Sequence, residues 1–378
     1  MRRFIERGVI AGAVTLVGRH GQLAHVQAHG SADLDGAKPM RIDSMFRLAS
    51  MTKPVISVAV LMLLEEGHIL LNDTVTSFIP EFKGLQVQHG PGYTLVPAQR
   101  DITIRDLLTH TSGLGSATLG PAATQAQAIV EQRVATATLA SLVPEMAKVP
   151  LSFQPGTAWE YSGAFGFDTL GRIVEIVSGM MLDEFLRQRL FEPLGMRDTT
   201  FTVDALTLNR VATVYERGPQ GLQAATPQGY LARATDPHNT YFSGGGGLVG
   251  TADDYSRFGL MLAGGGKLAG ERILSRKTVD LMASNHIGQL QFDRTTIDLR
   301  GYRFGLGVRV LDTPADATTL ASRGTFGWAG AFGTNSWIDP LEGIVGLMLI
   351  QRMPDVDDQV LRSLWPRFQA TAYQALDD

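Results

Sequence analysis

Ser50 and Lys53, in the stretch Arg47-Leu48-Ala49-Ser50-Met51-Thr52-Lys53-Pro54, set an alcohol and an amine three residues apart at the start of an apolar run. On a helix that spacing puts both groups on one face, one turn apart. A helix start also leaves backbone N–H groups without intrahelical partners. These are the parts of an activated serine nucleophile: a hydroxyl, a base beside it, and amide donors for a developing oxyanion. The pattern is short, so its meaning depends on what else the chain supplies.

Two further segments hold residues suited to the same chemistry. In Pro155-Gly156-Thr157-Ala158-Trp159-Glu160-Tyr161-Ser162-Gly163, a Pro-Gly turn precedes Tyr161, which lies just ahead of a helix-like segment. A phenol can shuttle a proton when a nearby cation lowers its pKa from about 10. In Gly327-Trp328-Ala329-Gly330-Ala331-Phe332-Gly333-Thr334, small residues let a backbone approach a ligand, and an edge strand there can offer an N–H to an oxyanion. Taken alone, Tyr161 reads as a half-buried aromatic and the glycine-rich segment as a tight corner or bulge.

The elements that must position these residues follow from pattern. Val9 to Val17 and Leu23 to Ala28 read as strands joined by a hairpin turn at Gly18-Arg19-His20-Gly21. Thr52 to Glu66 reads as a buried helix closed by Gly67. Helical signals dominate from there to about Met196. Thr103 and Asp106 resemble a capping box, 125–148 has helical composition, and an apolar helix over 165–177 stops at Gly179. Residues 201–240 are polar and irregular. Phe304, Leu306, Val308 and Val310 alternate with a period of two, and 328–338 and 344–350 are strand-like. A terminal helix is expected from about Asp357, kinked or broken at Pro366. Strands at both ends and helices between suggest an α+β protein. Its sheet domain would be discontinuous (1–75 and 245–378), with a mainly helical domain inserted at 76–244.

The chain has 378 residues, 44% hydrophobic and 19% charged, an ordinary globular composition. Its net charge of −4, with dispersed Lys and Arg, argues against a nucleic-acid or anionic-membrane partner. The absence of cysteine excludes disulfides and thiol catalysis. No run is long enough to span a bilayer, and the N-terminus reads as a short helix and strand rather than a leader, so a cytoplasmic location is expected. No metal or other cofactor is expected: the eight histidines are dispersed. His110 reads as a backbone hydrogen-bonding residue. Gly245-x-Gly247-x-x-Gly250 fits a dinucleotide pattern but lacks the surrounding strand and crossover, so it reads as a glycine-rich wall beside the site.

Together and in order, Ser50-Met-Thr-Lys53, Tyr161-Ser-Gly163 and Trp328-Ala-Gly330 resemble the active-site motifs of the serine β-lactamase and penicillin-binding protein superfamily. Leu107 to Leu114 and Tyr161 to Gly171 add to the likeness, which spans about residues 10 to 350. In particular the chain resembles the class C β-lactamase-like family VIII carboxylesterases. The resemblance implies a β-lactamase-like fold, with Ser50 as nucleophile, Lys53 assisting its deprotonation and Tyr161 as general base and later acid. It implies an oxyanion hole made by the backbone N–H groups of Ser50 and Ala331, and substrate contacts from Trp328, Gly330 and Gly163. Two departures matter. Gly163 stands where β-lactamases carry Asn, and Trp328 where they carry Lys; both favour a neutral ester over an anionic β-lactam. The expected activity is hydrolysis of short-chain or small aryl esters, small molecules, through an acyl-enzyme. The alternatives are a β-lactamase, D-amino-acid peptidase or amide hydrolase of the same fold, an acyltransferase, or a non-catalytic binding homologue.

Overall fold

The computed structural model describes residues 1–116, 120–292, 299–353, 355 and 358–377, with the side chains of 130–133 left aside. Its centre is one antiparallel sheet of eight strands: β1 (Gly12–Arg19), β2 (Gln22–Asp33), β3 (Lys38–Pro39), β4 (Tyr302–Phe304), β5 (Arg309–Leu311), β6 (Phe326–Gly327), β7 (Asn335–Asp339) and β8 (Ile344–Leu349). Their order across the sheet is β4-β5-β6-β7-β8-β1-β2-β3. The architecture is the expected α+β one.

β1 and β2 form a hairpin in which Arg19 pairs with Gln22 around His20 and Gly21. Both turn residues have positive φ (49° and 81°), the twist that a two-residue hairpin demands. β8 closes on β1 with Val14 opposite Leu349 and Leu16 opposite Leu347. These four side chains join the main core, together with the Thr52–Glu65 and Ala252–Ala263 helices. Ala13, Met348 and Ile350 point the other way and pack under Phe4, Leu361, Leu364 and Trp365, from the two terminal helices (Arg2–Glu6 and Gln359–Gln374). Both faces are therefore covered, which is why β8 is apolar at every position. Among the described residues, no helix is long and apolar enough to cross a membrane.

Several boundaries differ from the sequence reading. Phe304 to Val310 is a reversal between β4 and β5, with Tyr302 opposite Leu311 and Phe304 opposite Arg309. Leu306 and Val308 lie in the bend itself and are fully buried, so apolar alternation continues through a turn. The 328–338 region is strand only from Asn335, in β7; β6 ends at Gly327, and between them lies a tight bend in which Gly333 N–H bonds Gly330 C=O at 3.0 Å. β6 is an interior strand, flanked by β5 and β7, not an edge. On the β6 side, however, the β5 register reaches only Phe326 and Gly327. The last helix runs through Pro366. A hairpin at Gln86–His89 and Thr94–Pro97 stands where helical signals dominate the sequence.

Candidate active site

Ser50 occupies a 3₁₀ turn, Ala49–Met51, that leads directly into the Thr52–Glu65 helix. Ala49 is fully buried with φ +48°, a left-handed conformation that costs about 1 kcal/mol or more in a residue with a Cβ. The neighbours hold it there. Leu48 N–H donates to Leu248 C=O at 2.9 Å, and Leu48 C=O accepts from the Thr334 hydroxyl at 3.1 Å. The Tyr255 hydroxyl donates to Met51 C=O at 3.0 Å. Gly330 lies so close that a Cβ on it would sit 2.3 Å from the Leu48 carbonyl oxygen. The glycine-rich bend after β6 is thus pressed against the turn that carries Ser50.

Lys53 is completely buried, yet among the described residues no carboxylate lies within ion-pair distance of it. Its Nζ donates to Ser50 Oγ at 3.3 Å, Gly163 C=O at 2.5 Å and Gly245 C=O at 2.7 Å. Three N–H donors meet three acceptors, so the buried ammonium is fully solvated by protein. It also stands 4.9 Å from the centroid of the Tyr161 ring and 5.5 Å from that of Phe167. The Tyr161 hydroxyl donates to Ser50 Oγ at 2.7 Å. Alcohol, amine and phenol, 111 positions apart at the extremes, meet within hydrogen-bonding reach.

The turn bearing Tyr161 is fixed from below. Thr103 and Asp106 form a reciprocal capping box on the Ile104–Leu108 helix. His110 follows with φ +58°. Its C=O accepts from Glu160 N–H at 3.1 Å, and its Nδ1 accepts from Ser162 N–H at 3.2 Å. Those bonds straddle Tyr161. An accepting Nδ1 places the ring proton on Nε2. Burial, and then the Lys53 charge, push the His110 pKa well below the usual imidazole range, so the ring is neutral. It packs against Tyr161, Trp159 and Phe304 at centroid distances of 4.7, 5.7 and 5.1 Å.

Trp328 is buried, and its indole Nε1–H faces Tyr161 Oη at 3.4 Å. Its contact within the site is with the phenol. Ala331 is exposed beside the bend. Among the described residues, neither its N–H nor that of Ser50 has a hydrogen-bond partner. Gly163 contributes its carbonyl to Lys53 and leaves open space where a side chain would start: the nearest atom to that point is Tyr230 Oη at 3.8 Å. Gly245, in the glycine-rich wall, supplies the other carbonyl; a Cβ there would meet Ala164 Cα at 2.5 Å.

Sequence reasoning did not single out Tyr230, or Gly245 as a Lys53 acceptor. Gly245 reads only as part of a glycine-rich wall and Tyr230 carries no local signal; each reaches the site from a segment distant in sequence. His238 is exposed and donates its backbone N–H to Asp236.

The chain is similar to known proteins along most of its length. Protein Rv1367c of Mycobacterium tuberculosis is 36% identical, with the alignment covering all of this chain and 97% of that protein. Esterase EstB of Burkholderia gladioli is 33% identical over 90% of this chain and 86% of its own length. Among solved structures, EstCE1, a hydrolase with promiscuous acyltransferase activity, superposes with a TM-score of 0.78 at 29% identity, covering 96% of this chain and 94% of that one. The Beta-lactamase family model matches residues 1–366, and the chain belongs to that family.

Proposed function

We propose that this protein is a carboxylesterase cleaving short-chain or small aryl esters through an acyl-enzyme on Ser50. The observation that supports this most is the Tyr161–Ser50–Lys53 contact, with the phenol at 2.7 Å and the amine at 3.3 Å from the same hydroxyl. Tyr161 serves as the general base, with Lys53 beside its ring. Tyr161 then takes the Ser50 proton as Oγ attacks the ester carbonyl. The backbone N–H groups of Ser50 and Ala331 receive the oxyanion. Tyr161 returns the proton to the departing alkoxide, and the alcohol leaves. In the second half, water gives its proton to Tyr161 as it attacks the acyl carbon, and Tyr161 passes that proton to Ser50 Oγ as the acyl–oxygen bond breaks, releasing the acid. The Trp328 indole N–H faces the Tyr161 hydroxyl and helps hold it in place. Gly163 has no amide side chain and Trp328 no positive charge, which supports neutral esters over β-lactams. The esterase activity of EstB and the hydrolase activity of EstCE1 point the same way.

Ser50→Ala should abolish turnover of a short nitrophenyl ester, and a fluorophosphonate should label Ser50 in the folded protein. Failure to label, or a preference of orders of magnitude for a chromogenic cephalosporin, would overturn the reading. The acyltransferase activity of EstCE1 favours one second reading, in which an alcohol replaces water in the last step. Adding a primary alcohol to the assay separates the two: a transferase yields the new ester at the expense of acid.

A further inference from the structure

Lys53 is a buried charge, and a second buried ionisable group shares a neighbour with it. That group is Asp168, in the first turn of the Phe165–Ser178 helix and 0% exposed. Among the described residues no cation lies within ion-pair distance of it. Instead its Oδ1 accepts from the Ser243 hydroxyl at 2.7 Å and from Gly245 N–H at 2.9 Å, and its Oδ2 from the Tyr241 hydroxyl at 2.5 Å. Gly245 is therefore shared: its N–H is bound by Asp168 while its C=O receives Lys53 Nζ. Helix and loop clamp the two charges on either side of one residue, and that residue has no room for a side chain.

We propose that Asp168 is a positioning residue for the reaction: a buried carboxylate that acts through Gly245 as the remote counter-charge of Lys53. This rests on reading Lys53 and Tyr161 as the proton-transfer pair of Ser50. A buried ammonium without a nearby anion loses its proton readily. A carboxylate in direct contact would satisfy Lys53 but take its donors away from Ser50. With one residue interposed, the anion keeps Lys53 charged and leaves an N–H free to point at the nucleophile. The other titratable groups around the two charges do not supply this. Tyr161 reacts, His110 is neutral, and Tyr230 and Tyr241 are held protonated by burial and by nearby negative charge. Burial raises the Asp168 carboxyl pKa while its three hydrogen bonds and Lys53 oppose the rise.

The test is Asp168→Asn, which keeps the shape and removes the charge. Without the anion the Lys53–Tyr161 pair gives up its proton more easily. The acid limb of kcat/KM for a nitrophenyl ester should therefore move to lower pH by about one unit, with plateau turnover lowered about tenfold. The pH dependence of fluorophosphonate labelling should move with it. A purely structural Asp168 would lower the melting temperature and leave the limb in place, within about 0.2 units, and that result overturns the proposal. Wild-type protein that does not label at Ser50 overturns instead the esterase reading beneath it. A stability cycle with Lys53→Met carries the test if Asp168→Asn is weakly folded: losses in Tm from the two changes should fall well short of additive, because each removes the other's partner. Fully additive losses overturn the coupling.

Discussion

Asp106 and Asp168 are both buried carboxylates in the first turn of a helix, yet they are built in opposite ways. Asp106 takes a bidentate grip from Arg100 at 2.5 and 2.9 Å, along with Thr103 N–H and the hydroxyls of Thr103 and Thr111. Although burial opposes it, the Arg100 guanidinium and the Thr103 bonds hold its pKa below the usual carboxylate range. Asp168 has neutral donors only, and its pKa is raised. An acid whose task is to hold a turn neutralises its cation on the spot. An acid beside a reacting centre stands back, leaving the cation's hydrogens for other work.

The contrast can be broken most forcefully at the phenol. Tyr161→Phe should lower kcat by a factor of about 10² to 10⁴ with Tm little changed, as expected of a group that moves a proton. Near-normal turnover would remove the reason for calling the Asp168 side the reactive one. Asp106→Ala should do the reverse. It strands Arg100 and three other donors, lowering unfolding stability by about 3 kcal/mol while kcat per folded molecule stays near wild type; urea unfolding and active-site titration check both halves.

A pH series sharpens the comparison further. Asp106, with its lowered pKa, contributes stability that is fully present above the unfolded carboxylate value of about 4 and is lost as pH falls through the folded value below it. Asp106→Ala should therefore lose its deficit relative to wild type as the solution is acidified past pH 4. The smallest effect is expected at Asp254, whose pKa is raised to about 6 by burial despite bonds from Asp198 N–H and the Thr199 hydroxyl, both at 2.8 Å. Its contribution has the opposite sign, present below about pH 4 and lost as pH rises through about 6. Asp254→Asn should match wild type near pH 4 and exceed it by about 1 kcal/mol at pH 8, read from denaturant midpoints.

What the sequence made legible was local. Ser50 and Lys53 announce themselves because helical spacing alone brings them together, and Thr103 with Asp106 because a capping box is written within four residues. The φ of +71° at Gly179 follows from its place at a helix end. What stayed hidden depends on chain segments meeting. Nothing near Asp168 in sequence points to Gly245, 77 positions away. Leu306 and Val308 read as strand because burial, not extension, sets the pattern of apolar residues. Nothing around Trp328 in sequence shows that its indole N–H faces Tyr161.

The pairing of β1 with β8 has a consequence for how the protein comes into being. Residues 12–19 leave the ribosome some 330 residues before their central partner, Ile344–Leu349. At about 5–20 residues per second, that strand waits roughly 15 to 60 s with one long edge unsatisfied. The serine hydroxyl emerges early too, but the bend that presses on its turn comes almost last. A chain interrupted before residue 344 would leave the apolar β1 without its central partner, an edge open to pairing with other chains.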